Sequence, residues 1–355
     1  MKLNLIKMRE GWDGKKCWVH ARMCETPERM VATAQHLDVN GCDLFAGIHA
    51  SFSYDGGKTW SEFAPQAGLV PWRDAEGNVT VGCDGTPMYH KKTGKVLLTG
   101  HTAVYIGDTG KLKPNRRRST FYSVLKGDEF APIRFVEMPA EIADSGSGCG
   151  QCVELDNGDM LIPIYRANEN GRYSVCVMRC TFDGENLIYR EAGNSLTVEK
   201  ERGMCEPSLI FHGGRYHMTI RTDSEGYYTS SADGLHYDAP QMWQWEDGEI
   251  LPTYNTQQHW LTLDGKLYLV YTRRGVNNDH VFRHRAPLLM AEVRDGKLIR
   301  ETEIILTPER GARLGNFCAC PLSGGRAAVM AAEWMQPAGC EKYGSNNAIW
   351  IVEIE

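Results

Sequence analysis

The sequence predicts an all-β protein in which residues 1–355 form one six-bladed β-propeller, and three observations support this prediction. A turn motif occurs twice, a strand–turn–strand pattern occurs six times, and helical periodicity is almost absent. The composition agrees, since 42% of the residues are hydrophobic, 10% are aromatic and 37 are glycine, which is typical of a globular, β-rich chain. Repeat folds reach 355 residues as single units, so the length does not require a second domain.

The turn motif is the octapeptide Ser53-Tyr54-Asp55-Gly56-Gly57-Lys58-Thr59-Trp60. Aspartate and glycine stabilise tight turns through side-chain hydrogen bonds and positive φ angles, and the Trp side chain adds a large apolar plug. A shorter copy, with Tyr in place of Trp, runs from Ser231 to Tyr237. The S-x-D-x-G-x-x-W pattern resembles the Asp-box of sialidase-like β-propellers, and two copies indicate a repeat.

The strand–turn–strand pattern consists of apolar residues, a turn that ends in glycine, and a run of strand formers. The turn glycines recur at intervals of 51 to 64 residues, at Gly41, Gly94, Gly158, Gly214, Gly265 and Gly325. Six such units fill the chain and suit four-stranded blades around an axis. We expect residues 348–354 to complete the ring by pairing with an N-terminal blade, which hides two sheet edges. A β-helix or two β-sandwiches are the alternatives, and the Asp-boxes weigh against both.

Several classes of protein are disfavoured by the sequence. No apolar stretch approaches the ~18 residues of a membrane helix, and the first eight residues lack the apolar core of a signal peptide, so we expect a cytoplasmic protein without a membrane partner. The net charge is −6, and the basic run Arg116-Arg117-Arg118 is too short for a nucleic-acid track. We interpret this run as a solvated loop and expect no nucleic-acid partner.

The twelve cysteines are expected to be reduced thiols, because no export signal accompanies them. Cys149 and Cys152 have C-x-x-C spacing, and Cys318 and Cys320 form C-x-C. Neither pair has a partner pair at the spacing of a zinc site. We therefore expect no metal and no cofactor.

The resemblance to sialidases implies a set of site residues. Those enzymes hold a substrate carboxylate with three arginines and use an Asp acid/base, a second Asp, and a Tyr nucleophile activated by Glu. On this chain the first arginine corresponds to Arg22, although the surrounding sequence is unlike the usual R-I-P. Asp43 occupies the place of the acid/base, and Asp84 opens the second blade as the second Asp does. Asp43 is equally well interpreted as a turn former.

The remaining correspondences fall in later blades. Glu206 and Arg221 lie at the start and end of a predicted hairpin, which resembles the blade with the sialidase Glu and second arginine. A structural ion pair is the alternative interpretation of these two residues. The third arginine corresponds to Arg283 or Arg285, in a segment dense in ionisable groups.

The chain departs from the sialidase pattern at the nucleophile, where Asn316 and Phe317 occupy the expected place of the Tyr. Tyr343 is a possible substitute from a later loop. In the fifth blade, Gln257 is expected to face the pocket, and His259 is a candidate acid or base because an imidazole titrates near neutrality. His259 is equally plausible as a buried structural residue, and His101 is a weaker second candidate.

These residues lead to three functional hypotheses. The first is an exo-acting glycoside hydrolase whose substrate, an oligosaccharide or glycoconjugate, ends in an anionic sugar read by arginines. Asp43 or Asp84 would act with Glu206 as acid and base, in an inverting reaction if no Tyr nucleophile is present. The second is a polysaccharide lyase that acts on a uronate glycan. The third is a glycan-binding propeller without catalysis.

Overall fold

The structure, a computed structural model, describes residues 1–39, 44–167 and 171–355. These residues form six antiparallel sheets and no α-helix, which confirms the predicted six-bladed β-propeller. The strands in chain order are β1 Leu3–Arg9, β2 Lys16–Glu25, β3 Met30–Asp38, β4 Phe45–Ser53, β5 Ala64–Pro65, β6 Trp72–Arg73, β7 Val79–His90, β8 Lys95–Tyr105, β9 Thr120–Lys126, β10 Glu129–Phe130, β11 Arg134–Phe135, β12 Ser145–Gly146, β13 Val153–Glu154, β14 Asp159–Ala167, β15 Tyr173–Phe182, β16 Leu187–Ala192, β17 Cys205–His212, β18 Arg215–Arg221, β19 Gly226–Ser231, β20 Gln241–Met242, β21 His259–Leu263, β22 Lys266–Tyr271, β23 Leu289–Arg294, β24 Lys297–Leu298, β25 Ile304–Ile305, β26 Arg313–Leu314, β27 Cys318–Pro321, β28 Ala327–Trp334 and β29 Ile349–Ile354.

The blades follow the chain. The first blade contains β2–β5, the second β6–β11, the third β12–β16, the fourth β17–β20, the fifth β21–β25, and the sixth β26–β29 together with β1. Short 3₁₀ turns lie in the connections, at Ala67–Leu69, Phe282–His284, Arg300–Thr302, Ser323–Gly325 and Cys340–Tyr343. Among the residues described, no helix has the length and hydrophobicity needed to span a bilayer.

The ring is closed by the two ends of the chain. The last strand, β29, pairs with β28 on one side and with β1 on the other, in a register that places Leu3 opposite Ile354 and Lys7 opposite Trp350. We expected residues 348–354 to pair with an N-terminal blade, and they pair instead with a single N-terminal segment, β1. The segment is the outer strand of the sixth blade itself, and the first blade begins only with β2.

Apolar side chains on facing blade surfaces form the core. Met23 of the first blade packs in one buried cluster with Met330 and Ile351 of the sixth. Near the axis, Gln151 joins two further blades, since its Nε2 donates to the carbonyl oxygens of Trp260 (2.9 Å) and Ala319 (3.0 Å). The backbone N–H of Trp260 donates back to Gln151 Oε1 at 2.7 Å. These contacts fix the inner strands relative to one another.

Five of the six turn glycines lie where the sequence pattern predicts, each between two strands of a blade that pair with one another. Gly94, Gly158, Gly214, Gly265 and Gly325 all have positive φ angles, from 67° to 81°. The first copy of the pattern falls one hairpin later in its blade than the other five copies. Gly41 lies outside the described residues, and the strands on either side of it, β3 and β4, are the second and third of their blade.

The matching turn of the first blade, between β2 and β3, contains no glycine. The Thr26 hydroxyl donates to the carbonyl oxygen of Arg29 (2.8 Å) and accepts the Arg29 N–H (3.0 Å). A threonine side chain therefore closes this turn in place of a left-handed glycine. A search for turn glycines misses it for that reason.

Both Asp-boxes connect the third strand of a blade to the fourth. In the first, Asp55 Oδ1 accepts the backbone N–H of Thr59 and the Ser53 hydroxyl, each at 2.9 Å, and Trp60 Nε1 donates to the carbonyl of Gly57 at 3.1 Å. In the second, Asp233 Oδ1 accepts the N–H of His236 at 2.7 Å.

A third, weaker copy lies between β15 and β16 and escapes the sequence search. There Asp183 Oδ1 accepts the N–H groups of Glu185 (2.8 Å) and Asn186 (2.7 Å). Thr181 stands at the Ser position and Leu187 at the aromatic one, so the S-x-D-x-G-x-x-W pattern does not match. The motif is a structural turn in all three blades.

The first Asp-box makes stability depend on pH. Hydrogen bonds from the Thr59 side chain and backbone lower the pKa of Asp55 to about 2. Because a depressed carboxyl pKa stabilises the folded state above the unfolded pKa of about 4, this contribution disappears as the pH falls through about 2. We expect the difference in urea midpoint between wild type and Asp55→Asn to shrink between about pH 5 and about pH 3. An equal difference at both pH values would contradict this assignment.

Candidate functional site

Polar residues with left-handed backbone conformations meet at the propeller axis. His20, Asp84 and Glu206 have φ angles of 53°, 53° and 50°, each at a register shift of the inner strand β2, β7 or β17. Cys149 (63°) and Asn255 (44°) have the same conformation in the segments before β13 and β21. Non-glycine residues rarely adopt positive φ, and such strain, about 1–3 kcal/mol each, clusters at functional sites. Five blades therefore direct a strained residue toward one centre, which we call the axial cluster.

Asp84 is the negative centre of one half of the axial cluster. Its Oδ1 accepts Arg22 Nη2 at 2.6 Å and Asn316 Nδ2 at 2.9 Å, and His20 Nδ1 lies 3.3 Å away. Burial alone would raise the pKa of this carboxyl, but His20, Arg22 and His101 hold the pKa well below its usual range. Asp84 is therefore ionised at neutral pH.

Glu206 and Arg221 form the other half. Arg221 Nε donates to Glu206 Oε2 at 2.6 Å and Arg221 Nη2 to Oε1 at 2.9 Å, in a bidentate pair. Burial opposes ionisation of Glu206, but Arg221 outweighs it and lowers the pKa of Glu206 to about 2. The third arginine nitrogen, Nη1, donates to Asn255 Oδ1 at 2.8 Å.

Arg285 is a buried cation without an anionic partner in the described part of the chain. Only 4% of its surface is exposed, and its hydrogen bonds go to the carbonyl oxygen (2.7 Å) and side-chain Oδ1 (3.3 Å) of Asn255. Burial, and then the nearby guanidinium groups of Arg313 and Arg221, lower the pKa of Arg285 well below its usual range. An uncompensated buried charge is costly, and the surplus of positive charge attracts an anion.

A second cation, Arg118, lies near the third blade and was not among the residues predicted from the sequence. Its guanidinium carbon is 4.8 Å from the centre of the Tyr165 ring and 5.2 Å from that of Tyr173, and its Nη2 lies 3.4 Å from the Tyr173 hydroxyl. Burial raises the pKa of Tyr165 well above its usual value, so the phenol is neutral. In the sequence, Tyr165 was distinguished only as the last residue of a run of strand formers.

Asp84, His101 and Cys149 are the described residues that could hold a metal, since one potential ligand atom from each lies within 4.8 Å of the others. Arg22 and His20 already contact the Asp84 carboxylate, so a further cation would be repelled there. Burial, and then Asp84 and Glu206, raise the pKa of Cys149 well above its usual value, which favours the neutral thiol. We assign these residues to a hydrogen-bonded network.

The structure brings together five of the residues predicted for the site, namely Arg22, Asp84, Glu206, Arg221 and Arg285. The two alternatives for the third arginine, Arg283 and Arg285, differ in burial. Arg283 is exposed on the turn Phe282–His284, with its guanidinium 5.2 Å from the Phe282 ring centre, whereas Arg285 is buried beside Arg221. Asp43 lies outside the described residues.

His259 and Gln257 lie beside the axial cluster, and their contacts favour a structural role. The two ring nitrogens of His259 contact the Ser208 hydroxyl and Gln257 Oε1, both at 3.1 Å, and its ring meets the Phe317 ring edge-on. Burial, and then Arg22, lower the pKa of His259 to about 3. The imidazole is neutral and hydrogen bonded on both sides, so proton transfer would have to break one of these contacts.

Asn316 and Phe317, at the expected place of the nucleophile, contact members of the axial cluster. Asn316 donates to Asp84, and the carbonyl oxygen of Phe317 accepts Arg22 Nη1 at 3.0 Å. Tyr343, the possible substitute, is 48% exposed and packs against the ring of His280. The phenol of Tyr165 lies next to the axial cluster. Its ring centre is 6.0 Å from that of His101, which is itself a neighbour of Asp84.

The fold is that of a sialidase-like six-bladed β-propeller, and comparison with solved structures supports this fold. A Dyadobacter fermentans protein of unknown function matches with a TM-score of 0.71 at 14% identity over 99% of both chains. Trypanosoma rangeli sialidase matches with a TM-score of 0.68 at 13% identity, over 99% of this chain and 59% of the sialidase. The Hadza microbial sialidase Hz136 matches with a TM-score of 0.64 at 13% identity, over 96% of this chain and 66% of that one.

These similarities show the fold, because identities of 13–14% are too low to transfer an activity. The chain spans less than two thirds of the length of the two sialidases. No protein-family model and no curated protein sequence matches the chain. Function has to be inferred from the axial cluster.

Proposed function

We propose that residues 1–355 act as one domain, an exo-acting glycoside hydrolase that removes a terminal anionic sugar from an oligosaccharide or glycoconjugate. The main support is Arg285, which is buried beside Arg221 and Arg313 without a carboxylate partner among the described residues. The planar guanidinium group donates two parallel hydrogen bonds to a carboxylate or sulfate. An anionic substrate group would both satisfy these donors and neutralise the surplus charge.

The two buried carboxylates suit the role of base and not that of acid. Arg22 and Arg221 keep Asp84 and Glu206 ionised, so neither holds a proton to donate at neutral pH. We assign Asp84 to activation of the attacking water in an inverting reaction, and Glu206 to positioning Arg221. Asp43, predicted from the sequence as the acid/base residue, remains the proposed proton donor.

A uronate lyase is the second candidate, and the surroundings of Tyr165 favour it. Burial, and then Arg118, lower the pKa of His101 to about 4, so its imidazole is neutral and able to accept a proton. The Tyr165 phenol lies beside it, and Arg118 lies over the Tyr165 ring. An elimination needs a base for the proton next to the carboxylate, a proton donor for the leaving oxygen, and a cation on the carboxylate.

The mass of the products distinguishes the two reactions. We expect a panel of oligosaccharides ending in sialic acid or uronic acid to yield products that together gain one water, without ultraviolet absorbance of an unsaturated uronate. Asp84→Asn should abolish this turnover, because an amide cannot accept the proton of the attacking water. Products without the added water would establish elimination. Binding without turnover of any member would establish the glycan-binding alternative.

A further inference from the structure

The basic run Arg116-Arg117-Arg118 borders a groove of the second blade. This groove has a volume of about 330 Å³, and we define it by Trp72, Lys113, Arg116, Arg117 and Phe135 as the basic groove. The run was interpreted from the sequence as a solvated loop. Its first two arginines instead line a concave surface together with aromatic side chains.

The positive charge of the basic groove is only partly compensated. Lys113 Nζ pairs with Glu76 at 2.7 Å, but within the described residues Arg116 and Arg117 have no ion pair. Asp74 also lines the groove, and its carboxylate accepts the N–H groups of Glu76 (3.0 Å) and Asn78 (2.9 Å) within its own turn. Two arginines are therefore available to an anion from solution.

The aromatic side chains of the basic groove provide a surface on which the apolar face of a ligand ring can pack. Trp72 of β6 and Phe135 of β11 lie edge to face, with ring centres 6.2 Å apart, and 47% of Phe135 is exposed. Exposed aromatic rings beside arginines suit a ligand that combines C–H ring faces with anionic groups. Sugars that bear sulfate or carboxylate groups have this chemistry.

The basic groove is contiguous with the axial cluster through one stretch of backbone. The N–H of Ser119 donates to the Thr102 hydroxyl at 3.0 Å, and both residues line the groove. Between Arg117 and Ser119, the side chain of Arg118 lies over Tyr165 and Tyr173, on the side of His101. The three arginines therefore form a path of cations from the axial cluster to the basic groove.

We propose that the basic groove binds the second and later anionic units of an oligosaccharide whose terminal sugar occupies the axial cluster. The substrate is thus a polyanionic oligosaccharide, sulfated or rich in uronate, and not an isolated anionic sugar on a neutral chain. This inference rests on the proposed function. Arg118 is the link between the two subsites, and Trp72 packs against a sugar ring in the basic groove.

The test measures how affinity depends on chain length. Fluorescein-labelled heparin disaccharide and hexasaccharide, maltohexaose and a uridine hexanucleotide are titrated by fluorescence anisotropy at low and raised salt. We expect the heparin hexasaccharide to bind at least about tenfold more tightly than the disaccharide, since each charge-assisted hydrogen bond contributes about a factor of ten. Arg116→Ala/Arg117→Ala should remove this advantage and leave disaccharide binding unchanged. Raised salt should reduce the advantage in wild type.

The control is Arg190→Ala/Arg326→Ala, which removes the same charge from the third and sixth blades and should retain the length dependence. Trp72→Ala should weaken hexasaccharide binding, and Trp72→Phe should restore it. Equal binding of both heparin lengths, an unchanged double variant, or no binding of any probe would overturn the inference. Tighter, groove-dependent binding of the hexanucleotide would replace it with a nucleic-acid site. If Arg285→Met leaves disaccharide binding unchanged, the proposed function fails, whatever the groove variants do.

Discussion

Replacing Arg285 by Met will weaken the binding of an anionic sugar at least about a hundredfold, or roughly 3 kcal/mol, without lowering the stability of the protein. Arg285 is buried beside Arg221 and Arg313, and its described hydrogen bonds go only to Asn255. In the free protein Arg285 makes no ion pair with a described residue and Glu206 offsets its charge only in part, so an apolar side chain of similar length removes a cost of burial. Functional residues commonly reduce stability in this way.

Two measurements check this prediction together. Calorimetric titration with a uronate-terminated disaccharide gives the affinity, and urea unfolding gives the free energy of unfolding. Arg283→Met is the matched control, because Arg283 lies two residues away on the exposed turn Phe282–His284 and should leave both quantities unchanged. A variant that loses stability but retains affinity would identify Arg285 as a structural residue.

Replacing Arg221 by Met, unlike replacing Arg285, will destabilise the protein and will lower the free energy of unfolding by about 3–5 kcal/mol. The change leaves the Glu206 carboxylate buried without the two hydrogen bonds, of 2.6 and 2.9 Å, that compensate its charge. Breaking one side of a buried pair is more damaging than removing both partners. The double variant Arg221→Met/Glu206→Gln should therefore recover most of the lost stability.

The double-mutant cycle is measured by urea unfolding at neutral pH. Arg215→Met on the same strand is the control, since its partner Asp238 is exposed and the pair, at 3.1 Å, should contribute about 0–1 kcal/mol. A loss for Arg221→Met no larger than that of the control would disprove the stabilising role of the Glu206 pair. Additive effects of the two substitutions would show that the residues do not interact.

The fold was predictable from the sequence wherever a turn depends on a residue type. Gly94, Gly158, Gly214, Gly265 and Gly325 mark turns that require left-handed backbone, so their spacing indicated five blades correctly. The first blade was misplaced because Thr26 closes its turn with a hydroxyl group, which leaves no glycine in the sequence. Ring closure by residues 348–354 was expected from their strand pattern, but with an N-terminal blade as the partner, whereas the partner is the single strand β1 within the sixth blade.

Several members of the axial cluster could be proposed from the sequence because they stand in, or near, a recognisable motif. Asp84, Glu206 and Arg221 were found in this way, and the structure brings Asp84 against Arg22 from another blade, at 2.6 Å. Arg118 and Tyr165 were missed, because their proximity arises from the packing of the second blade against the third. The roles of these residues, and that of Asp43, stay predictions.

The sequence by itself determined the architecture of this protein, because turn chemistry and strand pattern are local properties of the chain. Only the tertiary structure decided which charges are compensated. Arg283 and Arg285 are alike in sequence, yet one is exposed and the other is buried among cations. Burial and the identity of neighbours depend on residues from separate blades, and these determine the free energy of a charge. The proposed anion site follows from that difference.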